Sequence, residues 1–263
     1  MKQKRPLVAL VAIASLALMY IPSLAVAVFS VNNARYGLIW KGFTLQWYAK
    51  LLENEDIINA AINSLVLAIV STIVATILGT FLAIGLYRSP WSDSLRRIFE
   101  LVIHVPVVVP DIIMAVALAL AFNVLRMVTK IFDIGMVTLI IAHITFQISF
   151  VTLVVKSRLE ALGQDTDEAA MDLYASRFFL FWHVTLPLLR PGIIAGAMLA
   201  FTLSLDDFII SFFTHGPESV TLPIYIYASI KRGLTPEIHA LSTLMLIFTA
   251  VPIIIVERMT RKF

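Results

Sequence analysis

Three aspartates stand inside or beside long apolar runs of this chain: Asp111, in Pro110-Asp-Ile-Ile-Met-Ala115, and the pair Asp206 and Asp207, in Phe201-Thr-Leu-Ser-Leu-Asp-Asp207. A carboxylate at mid-bilayer costs several kcal/mol unless it faces a cavity or a partner, so all three are functional pointers. Two readings stay open: acids lining a polar pathway, or residues that hydrogen-bond between helices and latch a gate. Adjacent helical residues point about 100° apart. Asp206 and Asp207 therefore cannot both face one lumen, and one is expected to bond to a neighbouring helix, which favours Asp206 or Asp111 for the pathway.

Other chemistries find little support. Cysteine is absent, which excludes disulfides, thiolate metal sites and a cysteine nucleophile. None of the five histidines has the i+3 or i+4 partner expected of a helical metal site, and His104 and His143 read as packed, hydrogen-bonded residues. No Gly-x-x-x-x-Gly-Lys-Ser/Thr loop is present, so the chain is not expected to hydrolyse ATP. Gly-x-Ser-x-Gly and His-Glu-x-x-His are missing too, which leaves an intramembrane enzyme without a nucleophile or zinc motif. A stand-alone secondary transporter would usually carry an inverted repeat of spans, and none is evident.

The elements that must position these residues are set by composition. Of 263 residues, 60% are hydrophobic and 14% charged, with a mean hydropathy of +0.92, far from an ordinary soluble domain. Six apolar segments are each about the 20 residues a spanning helix needs: 7–29, 60–86, 98–125, 136–156, 191–213 and 240–257. They lack the alternation of barrel strands, so the fold is expected to be all-α, a single transmembrane domain over 1–263. Lys2, Lys4 and Arg5 precede a run from Leu7 to Phe29 that is too long for a secretory h-region, so it reads as an uncleaved first span. Measured from the inner ends, Asp111 and Asp206 lie about 20 and 22 Å along their spans, at similar depth.

A net charge of +3 comes from basic residues scattered over short loops, a topology signal rather than a nucleic-acid surface. With both termini cytoplasmic, thirteen basic residues lie inside, including Lys2, Lys4, Arg5, Arg88, Arg261 and Lys262, and seven outside, including Arg35 and Lys130. Residues 30–58 then form an external interfacial segment with Trp40, Phe43, Leu45, Trp47, Tyr48, Leu51 and Leu52 at headgroup level. Residues 157–190 form a cytoplasmic loop. Asp165 with Glu168 makes a capping box for one short helix through Ala169, Ala170, Met171 and Leu173. Ser176 caps a second, Arg177 to Thr185, which Pro187 and Pro191 are expected to keep from running into the next span. On physical grounds alone, such a pair rests on the bilayer or binds a partner.

At this loop the sequence resembles the inner-membrane permeases of ATP-binding-cassette importers. Their signature is Glu-Ala-Ala, three residues, Gly, nine residues, Ile, one residue, Leu-Pro; here Glu168-Ala169-Ala170, Tyr174, Val184 and Leu186-Pro187 stand at those positions. The resemblance implies that Glu168, Ala169, Ala170, Asp172, Leu173, Tyr174, Ala175, Leu186 and Pro187 dock a separate ATPase. Tyr174 replaces a glycine whose use would be a left-handed turn, so the hinge between the two short helices is expected to differ, or the first helix to run a residue or two longer.

The likeness runs nearly end to end and is closest to the spermidine/putrescine permeases, through residues 34–48, Pro110 to Ala115, His143 to Phe146, Phe201 to Asp207 and Leu222 to Tyr227. It implies a MetI-like fold in a bacterial inner membrane, a non-catalytic transport subunit, an ATPase dimer that carries the ATP and Mg2+, a second homologous permease and a periplasmic or lipid-anchored binding protein. Near relatives carry iron(III), thiamine or sulfate. For a polyamine, Asp111, Asp206 and Asp207 would offset amine desolvation, and Tyr225 and Tyr227 would offer cation–π contacts at the external mouth.

Overall fold

One proline and one half-buried carboxylate decide where two of these apolar runs break. The computed structural model describes residues 6–34, 39–129, 132–163, 165–233 and 235–260. The orientation marks Lys2, Lys4, Arg5, Arg35, Lys130, Arg261 and Lys262 lie outside them. The helices are α1 (Pro6–Phe29), α2 (Gln46–Glu53), α3 (Glu55–Arg88), α4 (Asp93–Val108), α5 (Asp111–Thr129), α6 (Met136–Leu162) and α7 (Asp165–Asp172). There follow α8 (Arg177–Phe179), a π-helical segment (Leu180–Thr185), α9 (Leu186–Asp206), α10 (Ile209–Thr214), α11 (Leu222–Arg232) and α12 (Pro236–Thr260). Among the described residues the only β feature is a bridge between Asn32 and Phe43. Five helical stretches are long and apolar enough to cross a membrane: Val8–Phe29, Glu55–Arg88, Asp111–Thr129, Met136–Leu162 and Arg177–Asp206. Pro236–Val251 is a shorter apolar stretch.

Two predicted spans are divided. In the third, Val109 is extended (φ −74°, ψ 133°) before Pro110, which has no amide to donate and whose ring disfavours a helical predecessor. Pro106 and Pro110 in the third apolar run lead one to expect a kink; the break is complete instead, and Asp111 opens α5 rather than lying mid-helix. In the fifth, Asp207 is extended (φ −67°, ψ 120°) and separates α9 from α10.

The chain forms two compact units, Met1–Asn59 with Tyr225–Val251, and Ala60–Ile224 with Pro252–Phe263. In the first, Trp47 Nε1 donates to the Asn32 carbonyl at 2.8 Å and the Tyr48 hydroxyl lies 2.7 Å from Ser30 Oγ. Trp47 and Leu51 are buried while Trp40, Phe43, Leu45 and Leu52 are exposed. The segment is therefore only partly the interfacial surface expected: the indole N–H finds a backbone acceptor and turns inward.

The second unit is built on close helix approach. Val151 of α6 is fully buried; a Cβ added at Gly79 of α3 would lie 2.8 Å from its Cβ, and one at Gly196 of α9 would lie 3.4 Å from its Cγ1. Lipid supplies no hydrophobic drive for helix association, so small residues that let backbones approach take over that role. A second cluster, Ala115 and Phe122 of α5, Ala142 and Phe146 of α6 and Ile210 of α10, fixes the surroundings of the aspartates.

Candidate functional site

The loop that carries the signature begins at α7, which starts at Asp165; the side chain of Asp165, the expected cap, lies outside the described residues. The helix ends at Asp172 in a Schellman turn: Ala175 N donates to the Ala170 carbonyl at 3.1 Å and Tyr174 N to the Met171 carbonyl at 2.9 Å. Tyr174 holds φ 61°, the only non-glycine residue in the left-handed region among those described. The expected change of hinge is therefore corrected: the helix does not run on, and a tyrosine occupies the backbone conformation a glycine would take. Two carbonyls that would otherwise lack partners are satisfied this way, and the tyrosine side chain, 96% exposed, meets no obstacle. Tyr174→Gly is expected to stabilise the fold by up to about 1 kcal/mol, read as a rise in thermal midpoint; a fall would mean that the ring holds more than its backbone conformation costs.

Glu168, Ala169, Asp172, Leu173 and Tyr174 are exposed on this protrusion, while Ala170 and Ala175 are half-buried. Ser176 caps the second helix as expected, its Oγ accepting from Phe179 N at 3.2 Å. The proline stop does not occur. Helical structure is continuous from Arg177 to Asp206, because the π-helical segment hands over to α9 through a Leu186 N to Phe181 O bond. Pro187 stands one residue into α9, directly after the π-helical turn, whose i−5 bonding accommodates it without ending the helix. Leu186 and Pro187, half-buried, sit at this junction rather than at a break.

Sequence gave no sign of Arg88 beyond its charge. It ends α3, its Nη2 pairs with Asp167 of α7 at 2.6 Å, and its Nη1 donates to Thr185 Oγ1. Those partners lie 79 and 97 residues away, so no local pattern announces them.

The second site is a cavity of about 410 Å³. Asp111, Asp206 and Asp207 all line it, together with Phe146, Phe150 and Phe208. The three carboxylates do different things. Asp207 is spent on structure: its Oδ2 accepts from Ser211 N at 2.8 Å and lies 3.4 Å from His143 Nε2, and its Oδ1 accepts from Ile210 N at 3.3 Å. His143 is fully buried, with Nδ1 2.9 Å from Ser204 Oγ and Nε2 3.0 Å from Ser211 Oγ, so it is the packed residue expected. Asp207 thereby both caps α10 and ties it to α6, the neighbouring-helix bond foreseen for one member of the pair. Asp111 and Asp206 are exposed at the cavity, and neither carboxylate makes a hydrogen bond or ion pair among the described residues. Tyr225 and Tyr227 belong to the other compact unit and do not line the cavity. The Tyr227 ring already carries Lys231, whose Nζ lies 4.7 Å from the ring centre.

Apolar helices enclosing an acid-lined cavity, with a two-helix protrusion carrying the signature residues, define the class as a polytopic membrane permease. Residues 75–263 match the family described as the binding-protein-dependent transport system inner membrane component, and the chain belongs to that family. It is 37% identical over 246 residues to the spermidine/putrescine transport system permease protein PotC of Haemophilus influenzae, covering 94% of this chain and 93% of the relative. It is also 37% identical over 229 residues to the putrescine transport system permease protein PotI of Escherichia coli, covering 87% and 81%. Among solved structures, a bacterial ABC transporter involved in the import of the acidic polysaccharide alginate superposes with a TM-score of 0.75 at 15% identity, covering 97% of this chain and 94% of that one. The MetNI methionine ABC transporter, in an inward-facing conformation, gives 0.65 at 17% identity, covering 80% and 98%. These two likenesses establish the fold.

Proposed function

We propose that this chain carries polyamines, spermidine or putrescine, across the bacterial inner membrane by alternating access, with both termini cytoplasmic. The observation that carries the cargo reading is the pair Asp111 and Asp206, acids with no hydrogen-bond or ion-pair partner among the described residues, in a cavity that also presents Phe146, Phe150 and Phe208. Carboxylates and aromatic faces together suit primary and secondary ammonium groups, and repel an anionic cargo. Relatives at 37% identity named for polyamine transport support the same reading.

In this proposal the exposed residues Glu168, Ala169, Asp172, Leu173 and Tyr174 dock an ATPase, with Ala170, Ala175, Leu186 and Pro187 supporting them. Two ATPase subunits hold the ATP and Mg2+, and this chain contributes no nucleotide-binding residue. A second, homologous permease completes the pathway, and a binding protein delivers cargo from outside. The complex of all four components in proteoliposomes provides the test. Binding protein loaded with spermidine or putrescine is expected to raise ATP hydrolysis several-fold over unloaded protein. Stimulation only by binding protein loaded with iron(III) or thiamine would overturn the cargo, and none at all would overturn the importer reading.

A further inference from the structure

We infer that Arg88 is a positioning residue that fastens the docking helix α7 to the end of α3, so that a displacement imposed on α7 by a bound ATPase reaches α3 through one guanidinium. The inference rests on the docking reading above. Arg88 Nη2 lies 2.6 Å from each carboxylate oxygen of Asp167, the residue before Glu168, and Nη1 donates to Thr185 Oγ1 at the end of the π-helical segment. One side chain thus joins α3, α7 and the base of α9.

Shielding separates this pair from an ordinary surface ion pair. The Arg88 and Asp167 side chains are 24% and 13% exposed, and Thr185 is 2% exposed, so solvent and salt screen the contact poorly. The arginine's planar fork reaches two acceptors on two elements at once, which a lysine's single ammonium does less well. Among the described residues no other ion pair involves α7.

A residue that merely shaped the loop would lower the amount of assembled complex; a transmitting residue lowers the cargo moved per ATP in whatever assembles. The reconstituted complex is therefore compared as wild type, Arg88→Lys, Arg88→Ala, Asp167→Asn and the double variant Arg88→Ala with Asp167→Asn. Size-exclusion chromatography gives assembly, and labelled spermidine per phosphate released gives coupling. Arg88→Ala and Asp167→Asn are expected to assemble with the ATPase yet lose about tenfold in spermidine per ATP, the usual size of a coupling between sites. Arg88→Lys should retain part of the coupling through Asp167, and the double variant should fall no further than Arg88→Ala, because both act on one contact.

An assembled Arg88→Ala complex with wild-type coupling would overturn the inference, as would losses that multiply in the double variant. So would an Arg88→Lys complex whose only defect is reduced assembly. A wild-type chain that fails to bind the ATPase removes the docking reading itself, whereas wild-type binding with fully coupled Arg88→Ala removes the latch alone.

Discussion

Replacing Asp111 and Asp206 together by asparagine is expected to lower spermidine uptake in proteoliposomes by about a hundredfold, with each single variant losing about tenfold. A unit charge pair at 4 Å is worth about 4 kcal/mol before desolvation at an effective dielectric of about 20, so a net loss of about 1.4 kcal/mol per removed carboxylate is a modest share of it. Asparagine preserves size and hydrogen-bonding capacity, so the comparison isolates charge. Asp207 supplies the contrast. Its carboxylate faces His143 and the first amides of α10, so Asp207→Ala is expected to cost stability, about 1–2 kcal/mol in a thermal melt, in addition to any effect on transport. Wild-type uptake by the Asp111→Asn, Asp206→Asn double variant would sink the pathway assignment.

The second large effect is on the fold. Gly79→Leu forces a Cβ to within 2.8 Å of Val151 Cβ and 3.1 Å of the Ile148 carbonyl, neither of which can swing away as a flexible side-chain end would. The α3–α6 contact has to open, and a loss of more than about 3 kcal/mol is expected, seen as a collapsed yield of folded protein in detergent. Val151→Ala in the same chain removes the Cγ1 contact at 2.9 Å but keeps the Cβ and the Ile148 carbonyl, so it should recover little. A Gly79→Leu protein that melts like wild type would mean the two helices are not held this closely.

How far these features were legible in the sequence depends on how local their causes are. Span positions follow from the length of apolar runs, and the α4–α5 break was foreshadowed by Pro106 and Pro110, though as a kink. The α9–α10 break left no such trace. It depends on Asp207 turning its carboxylate to Ile210 and Ser211 while His143, 64 positions earlier in the chain, faces it from α6, and an aspartate after a leucine run carries no mark of that.

The loop from Glu168 to Pro187 was legible in the place of its first helix, its Ser176 cap and its signature spacing, since each is set by residues a few positions apart. Its two misreadings share a cause. Pro187 was expected to end a helix and Tyr174 to displace a turn, because each rule considers one residue's backbone preference. A π-helical turn absorbed the proline, and two hydrogen bonds across the Schellman turn accompany the tyrosine's left-handed conformation. Arg88 was invisible in its role because its partners come from remote parts of the chain.

The continuity from Arg177 to Asp206 has a mechanical corollary. Thirty residues at about 1.5 Å each make a helical stretch about 45 Å long, with the two-helix protrusion at one end and a cavity carboxylate at the other. A tilt of about 5° about the near end carries the far end through about 4 Å, more than the reach of a hydrogen bond. Had Pro187 ended the helix, a flexible joint would stand between the two, and the same push would be dissipated there. The widened turn carries the helix across a proline, so Arg177 and Asp206 stand at the two ends of one uninterrupted helical stretch.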